Sequence, residues 1–184
     1  MSNPWTDAAD KMSGGGKILN FQKGAPLRIR IVDKQPTQVL SDYKGKSSIR
    51  LTTRVILKES TPEGVKKTVK GWAFGSTVSG IIGNLANEPE WGGVEKDVTL
   101  FDLKVTKLAT EEDIGRVKAN AFWSVVAVGQ VRPLSPEDLQ LVKESDIDLY
   151  LLFGSKNNPA QSSGARQSAQ DGEEEEDNDP FADE

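Results

Sequence analysis

With 184 residues and 23 lysines and arginines against 28 aspartates and glutamates, the chain has a formal net charge of −5. It contains neither cysteine nor histidine, which excludes a disulfide framework, a thiol nucleophile, an imidazole base and a Cys/His zinc site. The N-terminal stretch is polar and glycine-rich rather than signal-like. No apolar run approaches the ~20 residues of a membrane span, so the sequence reads as a soluble, cytoplasmic protein.

Residues 1–16, ending in Ser13-Gly14-Gly15-Gly16, read as a flexible arm in which Trp5 is the only large apolar side chain. From Lys17 the texture changes to short alternating segments. Ile18, Leu19 and Phe21 could form a short strand, and Leu27-Arg28-Ile29-Arg30-Ile31 alternates strictly, the mark of a half-buried strand. A polar connection through Ser41–Lys46 carries Tyr43 and Lys44. A strand over Ser48–Lys58 follows, with Ile49, Leu51, Val55 and Leu57 on one face and Arg50, Arg54 and Lys58 on the other. After the turn Thr61-Pro62-Glu63-Gly64, a third strand runs from Val65 to Phe74. It is read with Lys66, Lys70, Trp72 and Phe74 on one side and Val65, Val69 and Ala73 on the other.

Ser76–Ala86 is the clearest helix, because Val78, Ile81, Ile82, Leu85 and Ala86 recur at helical spacing after a Ser76 or Thr77 cap. Trp91-Gly92-Gly93 is a turn, with Trp91 over the helix end. Val98–Leu108 returns to strand, Thr110–Lys118 is a hairpin loop, and Ala121–Val131 is apolar enough to be a central strand. Ser135-Pro136-Glu137-Asp138 opens a short helix, and Ile147–Phe153 is read as a closing strand. Three strands, a helix, two strands and a terminal element make a mainly β domain over 17–156. That is the order of a five-stranded oligonucleotide-binding barrel with a helix between strands 3 and 4, and an open α+β sheet shares it. Residues 157–184 form a linker and an acidic tail expected to be disordered, since Asp171–Glu184 holds nine carboxylates, no base and a single aromatic, Phe181.

Charge is distributed unevenly. Lys17–Lys70 carries thirteen bases and four acids, whereas Gly71–Gln170 carries nine bases and thirteen acids. A positive half and a tethered polyanion suggest a protein that binds a polyanion. Arg28, Arg30, Arg50, Arg54, Lys58, Lys66 and Lys70, with Tyr43, Lys44, Trp72 and Phe74 interleaved, would give phosphate contacts and stacking platforms suited to unpaired bases. Catalysis is poorly served. Asp102-Leu103-Lys104 matches only the end of a nuclease motif, and the exposed face of an amphipathic strand accounts for it better; no metal or cofactor site is expected.

The basic strands Leu27–Phe74, the strand–helix–strand order, the Gln/Ser/Gly linker Ala160–Gln170 and the tail through Asp179-Pro180-Phe181 together resemble bacteriophage and bacterial single-stranded DNA-binding proteins. The resemblance implies coating of single-stranded DNA during replication, recombination and repair. It also implies recruitment of replication or recombination proteins through Asp179, Pro180 and Phe181, and possible homo-oligomerisation. Phe181 departs from the family pattern in that Ala182-Asp183-Glu184 follows it. A protein-interaction or assembly factor that binds no nucleic acid is the alternative reading.

Overall fold

A sixteen-residue strand, β3 (Lys46–Thr61), is the spine of the molecule. The computed structural model describes residues 16–43, 46–109, 111–113 and 122–154; Lys44, the proposed N-terminal arm and the acidic tail with Asp179, Pro180 and Phe181 lie outside them. On one edge of β3 runs β4 (Gly64–Phe74), paired without interruption from Thr61↔Gly64 to Leu51↔Phe74. The other edge has two successive partners. β1 (Pro26–Ile31) pairs with the C-terminal half of β3 and β2 (Thr37–Tyr43) with its N-terminal half, both antiparallel. The register slips by three residues between Ile31↔Val55 and Thr37↔Thr52, so residues 32–36 are thrown out of the sheet. β1 and β2 are thus one long strand broken by an excursion, where the sequence suggested a strand and a polar connection.

β5 (Asp102–Lys107) pairs with the outer edge of β1, and β6 (Trp123–Val128) with β5. The predicted barrel is not formed. The sheet is open, with no ladder between β4 and β6, and the fold is mixed α/β rather than mainly β. The reason is visible at Gly71. The outer edge of β4 there is occupied by the N-terminal segment: Leu19 N–H donates to the Gly71 carbonyl and Gly71 N–H to that of Lys17, both at 2.8 Å. The stretch expected to be central, Ala121–Val131, therefore supplies an edge strand. The terminal element also differs from expectation. Asp148 accepts hydrogen bonds from Tyr150 N and Leu151 N and starts a short helix, α4 (Leu149–Phe153), in place of a strand.

Helix α1 (Ser76–Asn87) follows β4, with Gly75 rather than Ser76 or Thr77 at its cap, and buries Val78, Ile82 and Ala86. A single turn, α2 (Pro89–Gly92), folds back on it. The return requires Gly92, since a Cβ there would stand 1.9 Å from the Ala86 carbonyl oxygen. Together α1 and one face of the sheet enclose the core, which includes Ile29, Val55, Trp72, Phe101, Leu103 and Val105. The chain after β6 crosses the other face through α3 (Pro136–Glu144) and α4. Gly71 admits α4, because Leu152 Cδ1 and Phe153 Cε2 lie 2.9 Å from where its Cβ would be.

Candidate functional site

Directly paired residues of an antiparallel ladder share a face, so register decides which bases meet. Lys104 pairs with Arg28, Arg28 with Lys58, and Lys58 with Lys67. Four cations therefore line up across β5, β1, β3 and β4, on the face away from the core. The neighbouring row sets Asp102 against Arg30 and Arg30 against Ile56. Arg50 and Arg54 fall on the same face by alternation, as the sequence suggested.

The rest of the predicted surface is not assembled. β4 meets β3 with its odd-numbered residues beside Arg54 and Lys58, which puts Lys66, Lys70, Trp72 and Phe74 on the opposite face. Trp72 is 2 % exposed and packs between Phe21 and Phe74, with ring centroids 5.8 and 4.8 Å away. Phe74 is partly buried against the same cluster, and Lys70 donates to the Gly16 carbonyl. Lys66 stands opposite Glu59. Tyr43 ends β2 opposite Lys46. Bases and aromatics thus occupy opposite faces, and the basic surface with stacking platforms that motivated single-stranded DNA binding does not exist in this fold. That reading, and the family resemblance built on it, is overturned.

What the cationic face does build is a convergence on Asp102. The strand begins there because Asp97 caps the preceding 3-10 turn, Val98–Leu100, by accepting from Thr99 N at 2.8 Å. Lys58 Nζ donates to both Asp102 oxygens at 2.7 and 2.9 Å, Arg28 Nε to Oδ2 at 2.8 Å, and Arg30 Nη1 to Oδ1 at 3.2 Å. Burial alone would push this carboxyl up, but hydrogen bonding and charge from Lys58, with hydrogen bonds from Arg28 and Arg30, hold it below the usual range. It stays an anion at neutral pH, surrounded by more positive charge than it neutralises.

The three cations differ in what remains to them. Arg30, 3 % exposed at its side chain, is fully engaged: its Nε donates to the Thr99 carbonyl at 2.8 Å and its Nη2 to that of Arg132, tying the crossing chain to the sheet. Lys58 is nearly buried, whereas Arg28 has a side chain 52 % exposed and Lys104 is exposed. Arg28, Lys58 and Lys104 line an open cleft of ≈ 440 Å³, with Glu59 and Ser60 at its rim and Pro26, Leu27, Leu57 and Val128 as apolar wall. Gly129, at φ 82°, borders it; a Cβ there would stand 2.8 Å from Arg28 Nη2, so glycine leaves the guanidinium its place.

No family model, no curated protein and no solved structure matches the chain. The assignment of a role therefore rests on the geometry.

Asp102, Lys104, Lys67 and Gly129 are missing from the sequence-based site. Asp102 was expected on an exposed strand face and is instead buried. Alternation in Asp102-x-Lys104 mirrors that in Arg28-x-Arg30, but only the ladder reveals that they are opposed. Among the described residues, no three carboxylates come together to hold a metal ion. Arg54 is drawn away from the cleft to Asp33, and Lys67 to Asp138 at 2.7 Å.

Proposed function

We propose that this chain is a protein-interaction module, not an enzyme, and that the cleft of Arg28, Lys58 and Lys104 docks a carboxylate-rich segment of a partner protein. The observation that carries the reading is the convergence on Asp102. One buried carboxylate holds three cations in place, and with Lys104 beside them the cleft keeps a surplus of positive charge on an aliphatic wall. A guanidinium already oriented by Oδ2 loses little freedom on accepting a second carboxylate, which favours recognition by Arg28. Nothing aromatic faces the cleft, so a nucleobase would gain no stacking there.

The test is a titration of the full chain with a fluorescent glutamate-rich peptide. Affinity should fall as salt rises and the charges are screened. Lys104→Glu and Arg28→Gln should each weaken it several-fold, with unfolding temperatures close to the parent. Equal affinity in both variants, or tighter binding of oligo-dT than of the peptide at the same salt, would overturn the proposal.

A further inference from the structure

The excursion of residues 32–36 leaves a second space, on the opposite face from the cationic cleft. Thrown out of the sheet, these residues overhang α1 at the position of Ser79 and Gly83, one turn apart on the helix. Neither side chain fills the gap, and a Cβ at Gly83 would meet nothing within 4 Å. The result is a pocket of ≈ 140 Å³, lined chiefly by apolar atoms and floored by the buried Ile31, Thr53 and Ile82, with Phe74 as one wall.

Its rim is electrically closed. Lys34 pairs with Asp97 at 3.1 Å, and Asp33 is held by Arg54, so neither charged residue contributed by the excursion is left unpaired. A charged group entering would gain no partner and lose its hydration. The volume is too small for a nucleotide or a drug-sized cofactor, whose sites are typically about 300–1,000 Å³. A dry space of about 150 Å³ is enough for one benzene-sized group. The pocket is also half open, which leaves room at its mouth for a peptide backbone.

We infer that this pocket is an anchor site for one leucine- to phenylalanine-sized side chain, presented by a segment of a partner protein. The inference is independent of the cationic cleft. Single apolar side chains seated in preformed pockets dominate many protein interfaces, and a pocket whose floor belongs to the core is preformed.

The experiment follows backbone amides of Lys34, Thr53 and Gly83 by heteronuclear NMR in the full chain. It is titrated with N-acetyl-phenylalanine amide, N-acetyl-leucine amide, N-acetyl-glutamate amide and toluene. Saturable shifts confined to these amides are expected with the first two and not with the glutamate derivative. Gly83→Leu, which fills the pocket and suits a helix, should weaken them by at least about tenfold while leaving the unfolding temperature equal or higher. Four results would overturn the inference. The first is the absence of saturable shifts with either apolar amide. The second is binding of toluene without the amides, which would make the pocket a small-molecule site. The third is shifts that appear only after residues 171–184 are removed, which would make this chain's own segment the occupant. The fourth is shifts on dilution of the protein alone, which would mean a second copy fills it.

Discussion

Asp33 holds Arg54 where β3 exchanges one partner for another: its carboxylate receives the Arg54 backbone N–H at 2.7 Å and the guanidinium Nε at 3.1 Å. The Thr53 hydroxyl donates to the same carboxylate at 3.2 Å. β1 has ended and β2 has not begun, so a side chain does what the ladder cannot and satisfies the spine's backbone across the gap. The position of Asp33, two residues past Ile31, is thus part of the sheet's construction.

Asp33→Ala should accordingly destabilise the fold by about 1–3 kcal/mol, the usual cost of leaving such a buried donor unpaired. Asp33→Asn keeps an acceptor for the amide and should lose less. Urea unfolding of both variants measures the difference. An alanine variant as stable as the parent would mean that water satisfies Arg54 equally well.

Trp72→Ala should unfold or severely weaken the protein, by about 3–5 kcal/mol, because the indole is core. Its neighbours Phe21 and Phe74 cannot close over a hole of that size. Chemical denaturation followed by circular dichroism reads the loss, and the parent's tryptophan emission should contain a blue-shifted, quencher-resistant component that the variant lacks.

Most strands and the main helix were legible in the sequence because they depend on local alternation and spacing: Leu27–Ile31, Ser48–Lys58 and Ser76–Ala86 each keep one period. Alternation within a strand gives relative faces but not the face of its neighbour. Trp72 was grouped with the lysines because it shares their parity in β4, and only the pairing Thr53↔Trp72 shows that this parity points to the core. Closure of the sheet was equally non-local, decided by what Gly71 binds. Tyr150 to Phe153 is apolar enough for a strand or a helix. The discriminating signal was Asp148, whose short carboxylate caps the following turn. The convergence on Asp102 joins residues more than seventy positions apart, beyond any window of sequence.

Gly71→Ala tests the seating of α4. Its methyl group would press on Leu152 Cδ1 and Phe153 Cε2, each 2.9 Å from the Cβ position, and a well-packed contact of this kind costs about 1–3 kcal/mol when overfilled. Leu152 can swing aside more easily than the phenyl ring. The double variant Gly71→Ala/Leu152→Ala should therefore lose less stability than the sum of its parts, with a coupling of about 0.5 kcal/mol or more. Full additivity would show that α4 does not rest on Gly71 in solution.

Asp102 should make the protein acid-labile. Its folded-state carboxyl titrates below the 3.8 of an unperturbed aspartate, as do those of Asp97 and Asp138. At Asp97 and Asp138, as at Asp102, burial works against the shift. It is outweighed by hydrogen bonds from Thr99 and by Lys34 in the first case, and by Lys67 and Ser135 in the second. A depressed folded-state value means that the unfolded chain takes up protons first as pH falls, so unfolding gains protons and acid favours it. The stability these carboxylates contribute is complete above the unfolded value of 3.8 and is lost as pH falls from there through the folded values. Asp102→Asn removes the central anion and leaves Lys58 and Arg30 nearly buried without compensation, which should cost about 3–5 kcal/mol at neutral pH. It should also reduce the slope of stability against pH below about 4, since one proton fewer is taken up. Asp138→Asn is the control: it frees only Lys67, which is one-third exposed, and should cost much less. Urea unfolding at pH 7, 5 and 3 on the three proteins separates the cases. Were Asp102→Asn to match Asp138→Asn at pH 7 and keep the parent's acid slope, Asp102 would not be the ion that holds the cationic face together.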